Sequence, residues 1–188
     1  MRQSNWKRNV LGAALLIAAP AVLAQTANAG RDQVKRGIYL SIIGGCNDCH
    51  SPKTMTPKGP APDPARVLSG HPANAQLPPV PPGVLGPGKW AVLTNDDLTA
   101  WVGPWGTSFA GNLTPDMATG LGAWTAEQFI QTMRTGKHLG AGRPILPPMP
   151  VYALAAMTDP DLKALFAYLK SLKPIQNQVP PPLPPKGP

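Results

Sequence analysis

The sequence predicts a helical fold interrupted by one long irregular insert, and three observations support this. Capping residues and apolar periodicity mark three helices. Proline and glycine crowd residues 51–104, as in the run LPPVPPG at 77–83, which suits neither a helix interior nor a central strand. No alternating apolar strand pattern flanks the motif at residues 46–50. We therefore expect packed helices and an insert that wraps around them, with one helical turn at 95–101.

The first helix is predicted over residues 33–43. Asp32 precedes it as a candidate N-cap, and glycine at position 44 ends it. Its apolar stripe consists of Val34, Ile38 and Ile42.

Two further helices are predicted in the C-terminal half. The second helix begins with a capping box in which Thr125 is followed three residues later by Gln128, and Gly136 ends it. The last helix follows Thr158 as N-cap and stops before Pro174. The apolar faces consist of Phe129, Ile130 and Met133 in the second helix, and of Leu162, Leu165, Phe166, Leu169 and Leu172 in the last.

Residues 1–29 have the pattern of a secretory signal peptide. They start with basic residues, continue with an almost entirely apolar run at 10–24, and end with ANA at 27–29, which fits the A-x-A cleavage pattern. The pattern predicts export to the periplasm. An uncleaved membrane anchor is the alternative, although about 15 apolar residues fall short of the roughly 20 that a bilayer span needs.

The exported chain is then expected to contain a domain at residues 30–174 and a proline-rich tail at 175–188. Without residues 1–29, Lys and Arg outnumber Asp and Glu by 14 to 9. This modest basic excess suits acidic redox partner proteins, or peripheral association with an anionic membrane surface. No Lys/Arg-rich cluster and no basic patch with interleaved aromatic residues occurs, so nucleic-acid binding is not expected.

The two cysteines of the sequence stand in the motif C-x-x-C-H, at Cys46, Cys49 and His50. This is the attachment signature of c-type haem, in which two thiols form thioethers and the histidine binds the iron as proximal ligand. The motif occurs once, so the sequence predicts one covalent haem c, with Cys46 and Cys49 as anchors and His50 as proximal ligand. A redox-active dithiol and a zinc site are the alternatives. The first usually adjoins a βαβ pattern, and the second needs a further ligand pair.

The sixth iron ligand has seven candidates. They are Met55, Met117, Met133, Met149, Met157, His71 and His138. Met149 is favoured as distal ligand because prolines at positions 147, 148 and 150 leave its backbone few conformations, so the thioether is held with little entropy left to lose. Met133 is expected to fill the core, and Met157 to pack next to the cap of the last helix. His71, which gives bis-histidine ligation, stays an open alternative.

A histidine–methionine pair fills both axial positions of the iron and leaves no open position for a substrate. We therefore expect one-electron transfer, with no enzymatic bond chemistry by the chain itself. The alternative function is a haem-based gas sensor or a small peroxidase, either of which needs an open axial position.

With these features the chain resembles class I cytochromes c. The resemblance rests on the C-x-x-C-H motif behind an N-terminal helix, on Met149 between two prolines, and on a closing helix that contains Phe166 and Tyr168. Residues 112–116 (NLTPD) and 120–125 (GLGAWT) are also similar to segments of proteobacterial periplasmic cytochromes. These include the cytochrome subunits of membrane-bound alcohol dehydrogenases.

The resemblance implies an all-α, class I cytochrome c-like fold around one haem. The first and last helices are expected to cross at Gly37, with Phe166 or Tyr168 packed across it. The resemblance also implies redox partners, namely a dehydrogenase, a terminal oxidase or both. Two features depart from the family pattern. The dehydrogenase cytochrome subunits carry three haem motifs, whereas this chain has one. The long insert also exceeds the compact class I pattern, so the sequence does not identify the backbone carbonyl that accepts a hydrogen bond from the second ring nitrogen of His50.

Overall fold

The chain combines α-helices with two small antiparallel β-sheets in residues 28–185, the part that the computed structural model describes. The all-α prediction is therefore wrong, and the fold is mixed α/β. The helices are α1 (residues 28–43), α2 (Cys46–His50), α3 (Ala126–Thr135), a 3-10 turn (His138–Gly140), α4 (Val151–Ala155) and α5 (Asp159–Ser171). The strands are β1 (Lys53–Thr56), β2 (Gly59–Pro62), β3 (Leu93–Thr94), β4 (Ala100–Gly103) and β5 (Gly106–Phe109). None of these helices is long and apolar enough to cross a bilayer. The predicted leader at 1–29 lies outside the described residues, apart from its last two.

The error lies at the two ends of the insert at residues 51–104, where β1 to β4 form, and in β5 just after it; residues 63–92 between them contain no strand of either sheet. β1 and β2 pair through a two-residue turn. β3, β4 and β5 form a second sheet in that order, and residues 104–105 make the turn between β4 and β5. Strand β2 contains Pro60 and Pro62. They are tolerated because both strands of a two-stranded sheet are edges, where half of the N–H groups have no ladder partner.

Residues 95–99 form a tight loop between β3 and β4, so the predicted helical turn at 95–101 is wrong. Asn95 Oδ1 accepts hydrogen bonds from the N–H groups of Thr99 and Ala100, both at 2.9 Å. Leu98 takes φ 57° in this loop, a left-handed conformation that does not continue an α-helix. The asparagine that resembles a helix cap in the sequence thus closes a turn.

Helices α3 and α5 form the core and confirm their sequence signals. Thr125 and Gln128 make both bonds of the capping box at α3, and Thr158 caps α5 through its side chain. Phe129 of α3 packs on Phe166 of α5 with the ring centroids 5.2 Å apart. The buried core cluster consists of Leu68, Leu121, Phe129, Ile130, Met133, Leu162, Leu165, Phe166 and Leu169.

Helix α1 crosses α5 at Gly37, as the resemblance implies. A Cβ atom on Gly37 would lie 2.1 Å from the Ala164 carbonyl oxygen and 2.6 Å from Tyr168 Cβ, so only glycine permits this approach. The face of α1 that is buried consists of Gly37, Leu40 and Ser41. Ile42 of the predicted apolar stripe is 67% exposed. The predicted cap at Asp32 is wrong, because the chain is already helical from residue 28.

An ion pair between Arg36 and Asp161 joins α1 to α5 and predicts a pH dependence of stability. Arg36 Nε donates to Asp161 Oδ1 at 2.8 Å, and this hydrogen bond lowers the pKa of Asp161. A carboxyl group whose pKa is lower in the folded state stabilises the fold above its unfolded pKa, about 3.9. That stabilisation is lost as the pH falls through the folded pKa. We therefore expect the free energy of unfolding to decrease less between pH 6 and pH 2 in Asp161→Asn than in the wild type.

Urea unfolding at several pH values measures this effect. In an Arg36→Gln background, the further change Asp161→Asn should alter the pH slope much less. Equal pH slopes for the wild type and the single variant Asp161→Asn contradict the prediction.

Residues 175–185 form an extended segment, which we name the C-terminal strap. Leu183 exchanges two backbone hydrogen bonds with Thr107 of β5, each 2.9 Å long, so the strap covers one edge of the three-stranded sheet. The strap also bonds to two loops. The carbonyl oxygen of Ile175 accepts a hydrogen bond from Asn112, and the side chain of Asn177 donates one to the carbonyl oxygen of Ser69. The proline-rich tail, which cannot fold alone, is thus held by contacts with the rest of the chain.

Candidate haem site

The C-x-x-C-H motif forms a single helical turn, α2, directly after the glycine pair that ends α1. Gly45 takes φ 63°, a left-handed conformation that suits glycine and redirects the chain between the two helices. Cys46 and Cys49 are partly buried and unpaired, and their spacing of three residues places them on one side of the turn. Burial raises the pKa of both thiols. They are therefore neutral thiols at neutral pH.

His50 is 8% exposed, and a backbone carbonyl fixes the orientation of its ring. His50 Nδ1 lies 2.8 Å from the carbonyl oxygen of Gly111, so Nδ1 carries the proton and donates it. Burial lowers the pKa of His50, while the bond to Gly111 acts in the opposite direction. The ring is neutral at pH 7, and Nε2 keeps the lone pair with which histidine binds metals. Gly111 supplies the carbonyl that the sequence leaves unassigned.

An apolar cavity of about 230 Å³ opens beside the motif. Its walls come from the end of α1, from α2, from the segment around α4 and from α5. The lining residues are Leu40, Ile43, Gly44, Cys46, Pro150, Ala153, Leu154, Met157 and Leu165. Cofactor sites are typically lined by apolar side chains with a few placed polar groups. Two thiols and a neutral imidazole on one helical turn, next to an apolar cavity, fit a covalently held haem.

Met149 lies partly buried in the loop before α4, next to this cavity, since Pro150 lines it. The three-stranded sheet also holds this loop, through two hydrogen bonds. Ser108 Oγ of β5 donates to the carbonyl oxygen of Pro147 at 2.5 Å, and Trp105 Nε1 donates to Ser108 Oγ at 3.2 Å. The loop is therefore restrained by the sheet as well as by its own prolines.

The other methionines occupy different surroundings. Met55 and Met117 are 78% and 70% exposed. Met133 is buried in the core cluster, as predicted. Met157 packs against that cluster, as expected of a residue just before the α5 cap, and it also lines the cavity. Met157 is thus a second methionine near the motif, whereas His138 is exposed and packs edge-on against a tryptophan ring.

His71, the alternative iron ligand, is 1% exposed and held in the interior. Its Nδ1 lies 2.9 Å from Thr99 Oγ1. Its backbone N–H donates to the carbonyl of Ala110, the residue before Gly111. The backbone of His71 is therefore anchored beside the residue whose carbonyl orients His50.

No protein-family model matches the chain. The chain is 30% identical over 135 residues to the gluconate 2-dehydrogenase cytochrome c subunit of Pantoea cypripedii, a match that covers 72% of this chain and 22% of that protein. It is 28% identical over 172 residues to the fructose dehydrogenase cytochrome subunit of Gluconobacter japonicus, covering 88% and 28%. It is 26% identical over 182 residues to the cytochrome c subunit of a quinone-dependent alcohol dehydrogenase of Gluconobacter oxydans, covering 95% and 30%. The chain is a homologue of cytochrome c subunits.

The likeness to cytochrome c subunits of dehydrogenases, predicted from the motifs, is thereby confirmed. This cytochrome c subunit homologue spans less than a third of the length of the relatives it matches. The all-α architecture that the likeness implied does not hold for it.

Two residues of this cytochrome c subunit homologue were missed by sequence reasoning. Gly111 directly precedes the segment at 112–116 that carries part of the resemblance, but nothing in the pattern marks its carbonyl as an acceptor for His50. Ser108 stands in a strand that the sequence did not predict, so its bond to the Met149 loop had no signal either.

Proposed function

We propose that this homologue is a one-electron carrier that holds one haem through Cys46 and Cys49, with His50 and Met149 as axial ligands. The proposal depends most on the hydrogen bond between His50 Nδ1 and the carbonyl of Gly111, 2.8 Å long. Because Nδ1 is the donor, Nε2 is left as an electron-pair donor, with two thiols on the same turn and an apolar cavity beside it. The homology to cytochrome subunits of dehydrogenases supports the same function. A bound haem supplies a one-electron iron couple.

The residues of the site have separate roles in this proposal. The two thiols anchor the cofactor to the turn that also bears His50. The Gly111 carbonyl fixes the imidazole and increases its basicity. The apolar cavity that Cys46 helps to line would give the cofactor an apolar environment. With His50 and Met149 both bound to it, the iron would offer no open position to a substrate, and the chain itself would make and break no substrate bonds.

One haem is inferred from the single C-x-x-C-H motif. The matches to cytochrome subunits cover 22% and 28% of two relatives. We therefore infer that the chain corresponds to one haem-bearing part of such a longer subunit.

Met149 is the preferred distal ligand over Met157 for a structural reason. Met157 also lines the cavity, but its side chain packs against the buried core cluster, which is typical of a methionine that fills space in a core. Met149 lies outside the cluster, in a loop that Ser108 and the neighbouring prolines hold in place. A weak iron–thioether bond benefits from that restraint, because little entropy is lost when it forms.

We further propose that the protein works in the periplasm, accepts electrons from a dehydrogenase and passes them towards a terminal oxidase. The leader pattern at residues 1–29 supports export. The names of the relatives support a dehydrogenase as donor. The modest basic excess supports acidic partner surfaces and peripheral contact with the membrane.

Visible spectra of the purified protein in both redox states test the axial ligands. The reduced wild type should have a sharp α band, and the oxidised wild type a weak long-wavelength thioether-to-iron charge-transfer band. We expect Met149→Ala to lose the weak band completely and to have a lower reduction potential, since methionine ligation raises it. Met157→Leu and Met133→Leu are the matched controls and should keep the band.

Persistence of the weak band in Met149→Ala, with its loss in Met157→Leu, assigns the distal position to Met157 instead. Binding of carbon monoxide to the reduced native protein indicates an open axial position and favours a sensor or peroxidase. Co-purification with a large redox enzyme distinguishes a subunit of one complex from a freely diffusing carrier.

A further inference from the structure

The C-terminal strap binds two loops that adjoin the candidate site, the first through Asn177. Asn177 Nδ2 donates to the carbonyl oxygens of Ser69 at 2.7 Å and His71 at 2.9 Å. Its Oδ1 accepts from the N–H of Ala73 at 3.0 Å. One side chain thus uses both of its donor hydrogens and its acceptor on a single loop.

Gly70 lies between the two carbonyls that Asn177 holds, and it touches the site directly. Its N–H donates to the carbonyl oxygen of His50 at 2.8 Å. A Cβ atom at Gly70 would lie 2.6 Å from the carbonyl oxygen of Ala110 and 2.6 Å from the carbonyl carbon of Gly111. The loop that Asn177 holds is therefore packed against the backbone that presents the Gly111 carbonyl.

The strap also holds the chain on the other side of Gly111. The N–H of Ile175 donates to Thr114 Oγ1 at 3.1 Å, and the carbonyl oxygen of Ile175 accepts from Asn112 Nδ2 at 2.8 Å. Asn112 directly follows Gly111, and its Oδ1 accepts from both the N–H and the hydroxyl of Thr114. Gly111 thus lies between two segments that the strap restrains.

We propose that Asn177 is a positioning residue for His50, through which the strap sets the strength of the hydrogen bond between His50 Nδ1 and the Gly111 carbonyl. The inference rests on the proposed function, in which His50 binds iron. A firmly held acceptor makes the imidazole a stronger electron donor to a metal. Stronger donation stabilises ferric iron more than ferrous iron and so lowers the reduction potential. Asn177 acts through Gly70 and does not touch His50.

The midpoint reduction potential of the full-length, haem-containing protein tests this role. We expect Asn177→Ala to raise the potential by an amount equivalent to a roughly three- to tenfold change in the ferric-to-ferrous stability ratio, about 28–59 mV at 59 mV per tenfold change. Asn177→Ser, whose hydroxyl is too short to bridge the three partners, should shift the potential in the same direction. Hydrogen exchange at the Gly70 amide should accelerate in both variants relative to the amides of α5.

Two kinds of control separate positioning from general loss of stability. Gln176→Ala and Gln178→Ala remove exposed side-chain amides on either side of Asn177 and should leave the potential unchanged. Met133→Ala destabilises the core by a cavity and removes no hydrogen bond of the strap, so it should lower thermal stability without moving the potential.

Wild-type potential and wild-type exchange at Gly70 in the Asn177 variants, together with reduced thermal stability, overturn the proposal and leave Asn177 a purely structural residue. If the more disruptive Asn177→Ala does not fold, Asn177→Ser decides by the same two measurements. A wild-type protein without covalent haem overturns the proposed function instead, and the inference with it.

Discussion

Replacing Gly37 with alanine should lower the free energy of unfolding by about 3 kcal/mol, the upper end of the usual cost of overpacking. The added methyl carbon would lie 2.1 Å from the Ala164 carbonyl oxygen and 2.6 Å from Tyr168 Cβ. The nearer atom belongs to the backbone of α5, so no side-chain rotation relieves the clash, and the two helices must separate. Because α1 leads directly into the haem motif, we also expect Cys46 to move relative to α5.

Gly30→Ala is the matched control, because it adds the same methyl group to the same helix. No atom lies within 4 Å of a Cβ atom at Gly30. Alanine favours helix over glycine, so this variant should be as stable as the wild type or more stable by up to about 0.5 kcal/mol. Chemical denaturation of the purified proteins measures both changes. Similar stabilities for Gly37→Ala and Gly30→Ala would contradict the close helix crossing.

Replacing Asn112 with alanine should cost about 3–5 kcal/mol of stability, since several buried polar groups lose their partner together. Asn112 Oδ1 accepts from the N–H of Thr114 at 3.0 Å and from its hydroxyl at 2.7 Å. Asn112 Nδ2 donates to Thr119 Oγ1 at 3.1 Å and to the carbonyl oxygen of Ile175 at 2.8 Å. Alanine leaves all four atoms without this partner and removes one of the bonds that hold the start of the strap. The shape of the urea unfolding transition and its midpoint provide the measurement.

Gln178→Ala serves as control for this variant. It removes an exposed side-chain amide from the strap and should change the stability by no more than about 0.5 kcal/mol. If Asn112→Ala and Gln178→Ala unfold at the same urea concentration, the bonds of Asn112 contribute nothing to stability, and the prediction is wrong.

The parts of the fold that could be predicted are those whose signals are local. Thr125 and Gln128 lie three residues apart and make their capping bonds within one turn, so the sequence alone identifies the start of α3. The hairpins of the insert could not be predicted in the same way. Their stability comes from pairing with another strand, and β2 contains two prolines where a strand pattern is expected to show alternating apolar residues. The sequence did contain one turn signal in this region, a proline at position 104 followed by a glycine at 106. In the structure Gly106 takes φ 97° at the end of the turn between β4 and β5.

The site shows the same division between local and distant information. Cys46, Cys49 and His50 are adjacent in sequence, and the structure places them on one helical turn. The carbonyl that orients His50 belongs to a glycine in a distant loop, and no property of Gly111 in the sequence distinguishes it from other glycines. Met149 as distal ligand stays a prediction, for which the nearby cavity and the bond from Ser108 give physical support.

The surroundings of His50 depend on contacts between residues that are far apart along the chain. His50 and Gly111 are separated by 61 residues, and Asn177 and Ser69 by 108. Closing loops of this length costs chain entropy before the contacts can form, so folding with high contact order is slow. The motif itself spans five residues and needs no such closure. We therefore expect both thiols to remain accessible in the newly made chain for much of its folding time, which leaves an interval for covalent attachment before the surrounding structure closes over the turn.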